Sequence, residues 1–244
     1  MSLSAEKISK NYEKHLKIID TYIGDRKDSI KTMLSKLEET YVMAPASSRT
    51  WYHNAFPGGY IDHVNRVVEY AVKQSRLYKE MGGTVDYTDE ELVFAALFHD
   101  LGKIGDGNLP NYLPQTDKWR RDKLSEAYTY NPDLDFMLIP DRSLFILQKF
   151  GIPVSQKEWL GIRLHDGVFD KANEAYFFSN MESSRQKTSI VSVLHSADFL
   201  ASKVEYDMWK REGGSTQPKA QKTESSTGKR VNSSESLSNM LKNL

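Results

Sequence analysis

The chain has 244 residues, and its 33 Lys and Arg residues balance its 33 Asp and Glu residues. A net charge of zero gives no electrostatic reason to expect binding to nucleic acid or to an acidic membrane surface. The absence of cysteine excludes disulfides, thiolate zinc sites and cysteine nucleophiles. No apolar run approaches the roughly 20 residues of a membrane span, and no signal peptide is visible, so we expect an intracellular, cytoplasmic protein.

Hydrophobic periodicity predicts helices along most of the chain and no convincing strand, so the expected fold is all-α. Two polar amphipathic helices are predicted at 4–20 and 26–42. His15 lies in the first of them and is expected to be exposed. A third helix is predicted at about 60–80, and its apolar residues recur at helical spacing on one face.

The next segments alternate apolar helices with one long irregular connection. A capping box that begins at Thr88 opens an apolar helix over 92–99, which we expect at the centre of the fold. Residues 104–140 are rich in Gly, Pro, Asn and Asp, and connections of this length are often functional. Further helices are predicted at 141–147, 159–167 and 187–209.

Composition divides the chain into three parts. Residues 1–45 are predicted to be an N-terminal helical extension, and 46–212 the main domain. Residues 213–244 are rich in Ser, Lys, Gln, Thr and Asn and poor in apolar residues, which predicts a disordered tail.

Five of the six histidines lie between positions 53 and 195, in or beside the most apolar segments. His63, the adjacent His99 and Asp100, and Asp198 are predicted on three separate buried helices. Aspartate is almost never fully buried without a partner. One divalent ion held by all four side chains would explain their burial. Without cysteine ligands, the ion would be Mn, Mg, Fe, Co, Ni or Zn.

The order of these residues resembles the H…HD…D signature of the HD-domain superfamily of metal-dependent phosphohydrolases. The resemblance covers about residues 50–205. Phe-Pro-Gly-Gly-Tyr-Ile-Asp directly precedes His63, Leu-Gly-Lys directly follows Asp100, and Asp198 lies within Ala-Asp-Phe-Leu-Ala. The resemblance implies an all-α HD-domain helical bundle with a divalent metal ion held by the following ligands: His63, His99, Asp100 and Asp198.

A second sequence element is similar to one found in binuclear HD enzymes, such as 3′–5′ exoribonucleases and cyclic-nucleotide phosphodiesterases. These enzymes carry a His-His-Gly element between the HD pair and the last aspartate. The matching residues here are His165, Asp166 and Gly167, so the second His is replaced by Asp. Asp141 is the nearest candidate for a further ligand. The resemblance therefore does not decide whether the site holds one metal ion or two. It implies that His165 is a second-site ligand, a substrate contact or a general acid.

The chemistry implied is attack of a metal-activated water on a phosphoryl group. Asp100 could orient this water, Lys103 could contact a phosphate oxygen, and His165 could protonate the leaving group. Aromatic side chains flank one of the histidines and could stack on a base. The residues predicted to bind substrate are Arg49, His53, Arg142 and His195.

The expected function is hydrolysis of a nucleotide or another small phosphorylated metabolite. A phosphodiesterase or 3′–5′ exonuclease is an alternative, although the neutral charge does not favour nucleic acid as a partner. A guanosine tetraphosphate hydrolase is disfavoured because no acidic Glu-Asp motif follows the HD pair. A di-iron HD oxygenase would need a complete second metal site. A non-catalytic HD sensor or binding module is the remaining alternative, and neither the substrate nor the oligomeric state is predicted.

Overall fold

The computed structural model describes residues 2–178 and 181–214. Within these residues, helices make up most of the fold, which confirms the all-α prediction. The helices are α1 (Ala5–Tyr22), α2 (Lys27–Lys36), α3 (Glu38–Met43), α4 (Gly59–Glu80), α5 (Asp89–Phe98), α6 (Lys118–Leu124), α7 (Ile139–Lys149), α8 (Gln156–Leu164), α9 (Glu174–Phe177) and α10 (Ile190–Arg211). Most of the predicted tail lies outside the described residues.

Two details of the predicted secondary structure are wrong. The long connection contains a small antiparallel sheet, in which β1 (Tyr112–Pro114) pairs with β2 (Tyr128–Tyr130). Strands of three residues are too short to show the alternating pattern that identifies a strand. The single helix predicted at 26–42 is also divided into α2 and α3, because the backbone at Leu37 departs from helical geometry.

Helix α5 occupies the centre of the core. Every residue over 92–98 is buried, as expected for a helix that is apolar on all faces. The predicted capping box is present: the Thr88 hydroxyl accepts a hydrogen bond from the Glu91 amide, and the Glu91 carboxylate accepts one from the Thr88 amide. Helix α4 packs against α5 and α10, and α8 packs against the same two helices. Four helices of the core therefore meet around the region where the predicted metal ligands lie.

The N-terminal helices contribute to the same core. Ile19 of α1, Ile30 and Met33 of α2, and Tyr41 of α3 are completely buried within it. No helix in the described part of the chain is long and apolar enough to cross a bilayer. The boundary predicted at residue 45 stays a prediction.

His15 is completely buried, so its predicted exposure is wrong. Its Nδ1 lies 2.9 Å from Asn65 Oδ1, and its Nε2 lies 2.6 Å from the Tyr41 hydroxyl. A neutral imidazole satisfies both contacts, with Nδ1–H donating to Asn65 and Nε2 accepting from Tyr41. Asn11, His15 and Ile19 are spaced four residues apart and form the buried stripe of α1. Periodicity does not distinguish such a polar, hydrogen-bonded stripe from a solvated face.

The position of His15 predicts a dependence of stability on pH. Burial lowers the pKa of His15 from 6.5 to about 4, against the opposing effect of the Asn65 hydrogen bond. As the pH falls between these values, the unfolded chain binds a proton that the folded chain does not, so the free energy of unfolding decreases. We expect this group to remove up to about 3 kcal/mol of stability across the window.

Urea denaturation at pH values from 7.5 to 4 would measure this effect by comparing the wild type with His15→Gln, which cannot titrate at that position. The wild type should lose more stability than the variant over this range. Equal losses in the two proteins would contradict the assignment.

Candidate metal centre

The four predicted metal ligands converge from different elements. His63 lies in the first turns of α4, His99 directly follows α5 and precedes Asp100, and Asp198 lies on α10. His63 Nε2 is 3.0 Å from Asp198 Oδ1 and 3.6 Å from Asp100 Oδ2. His99 Nε2 is 3.4 Å from Asp100 Oδ2 and 3.8 Å from Asp198 Oδ1. Of the four, His63, His99 and Asp198 lie together at metal-ligand spacing, and Asp100 Oδ2 lies within 3.6 Å of both imidazole Nε2 atoms.

Several polar atoms at this point lack hydrogen bonds. Nε2 of His63 and Nε2 of His99 are buried without a well-aligned hydrogen bond to any described residue, although Asp198 Oδ1 lies 3.0 Å from His63 Nε2. Asp100 Oδ2 is also buried without a well-aligned hydrogen bond, although the Lys103 ammonium lies 2.6 Å away. Buried polar atoms in proteins are normally satisfied. A divalent ion coordinated by these atoms would satisfy them, so the residues fit such an ion.

The neighbouring backbone determines which imidazole nitrogen faces the cluster. His99 Nδ1 is 2.8 Å from the Ala96 carbonyl, and His165 Nδ1 is 2.8 Å from the Ile162 carbonyl. A carbonyl can only accept, so in each ring Nδ1 carries the proton that it donates. When either ring is neutral, it therefore presents the Nε2 lone pair, which is the form that binds a metal ion.

The electrostatics of the cluster favour charged side chains. Burial raises the pKa of Asp100, but Lys103 and His99 outweigh burial and hold this pKa well below its ordinary value. Burial lowers the pKa of His63, but Glu205 and Asp198 outweigh it and raise this pKa to about 10. Asp100 is therefore an anion, and a metal ion that binds His63 must displace its proton.

His165 lies near Oδ1 of Asp100, whereas His63 lies near Oδ2. Its Nε2 is 3.5 Å from Asp100 Oδ1 and 3.6 Å from Asp166 Oδ2. His165 forms two further groups with metal-ligand spacing, one with His99 and Asp100 and the other with Asp166 and Asp198. Asp141, the predicted candidate for a further ligand, does not join them. It is 40% exposed and pairs with Arg163 at 2.8 Å.

Comparison of the chain with protein-family models, curated proteins and solved structures finds no match. The chemistry of this centre is therefore inferred from its own residues. The buried histidines and aspartates are compatible with a divalent metal ion, and their burial, tautomers and spacing all agree with that role. Nothing in the donor set selects one metal among those with affinity for imidazole and carboxylate.

A cavity of about 810 Å³ opens onto the cluster. Asp100, Asp198, His165 and Lys103 belong to the polar part of its wall, and aromatic side chains form much of the remainder. This volume is within the range of small-molecule sites. The proposed ligands are therefore accessible to a small substrate from one side, while the opposite side of the cluster is enclosed by the core.

Two residues predicted to bind substrate, His53 and His195, line this cavity together with Lys103 and Asp100. The Lys103 side chain is only 13% exposed and pairs with Asp100. His53 Nε2 is 3.5 Å from Lys103 Nζ, and burial together with this ammonium holds the pKa of His53 well below its ordinary value, so His53 is neutral. His195 Nδ1 is 2.7 Å from the His165 carbonyl. These side chains can bind anionic and polar groups of a ligand.

A glycine is needed beside His195. Gly167 has a φ of +58°, which favours glycine, and a Cβ atom there would lie 2.7 Å from the His195 ring. The close approach of the backbone lets His195 pack over the turn that follows His165. The Gly of the His-Asp-Gly element therefore has a structural role in shaping the cavity wall.

The two arginines predicted to bind substrate lie elsewhere. Arg142 is 3% exposed, and its guanidinium donates to Asn111 Oδ1 at 2.7 Å and to the Asp135 carbonyl at 2.6 Å. Arg49 pairs with Glu126 at 3.1 Å beside the cavity without lining it. The structure therefore does not bring either guanidinium to the cavity, since both are bound by other protein groups.

The structure also identifies residues that the sequence analysis missed. Glu205 contacts the Nδ1 side of His63, and Phe169 and Phe199 form part of the cavity wall. One signal was available for Glu205, which follows Asp198 by two helical turns and so lies on the same face of α10. Phe169 reaches the cavity wall because of the turn that follows α8, and no local sequence pattern predicts that position.

Proposed function

We propose that this chain is an HD-type metal-dependent phosphohydrolase that acts on a nucleotide or another small phosphorylated metabolite. One observation carries the proposal: buried imidazole nitrogens without well-aligned hydrogen bonds converge with two carboxylates beside a substrate-sized cavity. The chain order of His63, His99, Asp100 and Asp198 supports the resemblance to the HD superfamily. A divalent ion bound there would acidify a water molecule and neutralise charge on the phosphoryl group.

Lys103 is suited to bind a phosphate oxygen. Burial lowers its pKa, but Asp100 outweighs burial and raises it, so the side chain is an ammonium at neutral pH. It lines the cavity while remaining paired with Asp100. A cation fixed beside the reacting group stabilises negative charge that develops in the transition state.

His165 is suited to donate a proton. Burial lowers its pKa, but Asp166 and Asp100 outweigh burial and raise the pKa to about 10. The ring lines the cavity and is held by the Ile162 carbonyl. A protonated imidazole at this place could deliver its Nε2 proton to the leaving oxygen of a phosphate ester.

The aromatic part of the cavity supports a substrate with a planar ring. The rings of Phe169 and Phe199 are nearly parallel with centroids 6.1 Å apart, and Phe169 is 73% exposed. Trp51 and Tyr52 also line the cavity, and Lys203 lies 4.9 Å from the Phe199 ring. Nucleobases stack on such side chains, while lysine can contact a phosphate. These contacts favour a nucleotide over an aliphatic phosphate ester.

A binuclear centre supports a second candidate function. His165, Asp166 and Asp198 lie at metal-ligand spacing, so Asp166 could substitute for the His of the His-His-Gly element. Two ions would suit a phosphodiesterase or 3′–5′ exonuclease, or a di-iron oxygenase if both were iron. Elemental analysis of the reconstituted protein would distinguish these cases, because two irons per chain would favour the oxygenase.

A substrate screen tests the proposed function. Nucleotides, sugar phosphates and short oligonucleotides would be incubated with the protein and Mn²⁺, Mg²⁺, Co²⁺, Ni²⁺ or Fe²⁺, beside an Asp100→Ala variant. We expect phosphate release from at least one nucleotide by the wild type and none above background by the variant. Hydrolysis that survives Asp100→Ala, or no hydrolysis with any metal, would contradict the proposal.

A further inference from the structure

A buried carboxylate lies behind His63, on the side away from the cavity. The Glu205 side chain is 1% exposed, and both of its oxygens are 3.1 Å from His63 Nδ1. Burying a carboxylate without partners is strongly unfavourable. The described residues of the cavity wall do not include Glu205, so a direct contact with substrate does not explain its position.

Arg66 provides the second contact of this carboxylate. Its Nη1 lies 2.5 Å from Glu205 Oε1 and 3.2 Å from Asp62 Oδ2. Asp62 and Arg66 are four residues apart on α4 and flank His63 along the same helix. Glu205 is therefore held between the imidazole and a guanidinium, and its oxygens have protein partners.

The same chain of contacts continues to α1. Asp62 Oδ1 accepts a hydrogen bond from Asn11 Nδ2 at 2.9 Å, and Asn11 is 7% exposed. Asn65 Nδ2 donates to the Asn11 carbonyl at 2.8 Å, which anchors the α1 side of the contact. A continuous series of polar contacts thus joins a helix near the N-terminus to His63.

We propose that Glu205 is a positioning residue for His63, and that Asn11, Asp62 and Arg66 hold it in place. This inference rests on the metal centre of the proposed function. A carboxylate that accepts from Nδ1–H orients the ring toward the ion and raises the basicity of Nε2. The sequence predicts that α1 belongs to an extension outside the main domain, but these contacts make α1 part of the support of the metal centre. The contact with Arg66 favours this role over direct coordination of an ion by Glu205.

Glu205→Gln tests the first half of the inference, because it removes the charge and keeps the shape. Calorimetric titration with Mn²⁺ should show an affinity about 10- to 100-fold lower than that of the wild type. The control is Glu69→Gln, which removes a carboxylate from α4 that pairs with Lys14 of α1 and does not touch His63. Its Mn²⁺ affinity should equal that of the wild type. Visible spectra with bound Co²⁺ should change for Glu205→Gln alone, because they report ligand geometry.

A double-mutant cycle tests the connection to α1. Asn11→Ala should lower Mn²⁺ affinity by less than Glu205→Gln does, and it should have almost no further effect in a Glu205→Gln background, because both changes interrupt one series of contacts. The inference is overturned if Glu205→Gln binds Mn²⁺ as the wild type does, or if Glu69→Gln loses equal affinity. Additive effects of Asn11→Ala and Glu205→Gln would overturn the role of α1. Failure of the wild type to bind any metal would instead refute the metal centre itself.

Discussion

Replacing Asp198 by alanine should reduce the proposed phosphate-ester hydrolysis by about a thousandfold, since a bound metal ion would supply several kcal/mol of transition-state stabilisation. The Asp198 carboxylate lies 3.0 Å from His63 Nε2 and lines the cavity. Its loss would remove one of the two anionic ligands and one of the carboxylates that pair with His63. Initial rates with the best nucleotide from the screen would measure the effect at saturating Mn²⁺.

Asp141→Ala is the matched control for this experiment. Asp141 is also an aspartate near the core, but it pairs with Arg163 and is 40% exposed. Its removal should change the rate by no more than about twofold, because Asp141 is partly exposed and Arg163 keeps Asp170 and Asn173 as partners. Equal losses in the two variants would show that Asp198 has no special role, and a large loss in Asp141→Ala alone would place the centre elsewhere.

Replacing Phe98 by alanine should lower the free energy of unfolding by about 3–5 kcal/mol. Phe98 is completely buried at the end of α5, and its ring packs edge-on against Phe94 with centroids 4.9 Å apart. Its removal would leave a cavity in a core that is surrounded by other helices and cannot easily collapse. Urea denaturation of the metal-free protein would measure the change.

Phe136→Ala serves as the control for Phe98→Ala, because Phe136 is 88% exposed. Removing an exposed ring should change the free energy of unfolding by no more than about 0.5 kcal/mol. A loss below about 1 kcal/mol in Phe98→Ala would mean that α5 is not the centre of the core.

The candidate metal cluster was predictable because the sequence places polar and charged side chains in or beside strongly apolar helices. His99 and Asp100 follow an apolar capped helix, and Asp198 lies within an apolar stripe, so each needs a buried partner. A metal ion is an economical common partner for such groups. The helices of the core were predictable for a related reason, because their apolar faces are long enough to show the helical period.

Other features depend on contacts that no local pattern reports. The polar character of α1 predicts an exposed His15, whereas the His15 ring is buried and hydrogen-bonds to Asn65 and Tyr41 inside the core. Glu205 meets His63 across 142 residues of chain, so only the packing of α10 on α4 shows the pair. Arg142 was expected near phosphate because arginine commonly binds it, but its guanidinium is bound by loop groups that the fold brings to it.

Metal titration of the wild type and of Asp198→Ala is the most direct test of the central claim. Both proteins would be stripped of metal, checked for helical content by circular dichroism and titrated with Mn²⁺ by calorimetry. The metal centre predicts saturable binding of at least one ion per chain by the wild type and binding at least about 100-fold weaker by the variant, because removing a ligand should exceed the effect of removing a residue that supports one. Absence of binding by the wild type with any divalent metal, or equal affinity in the two proteins, would contradict it.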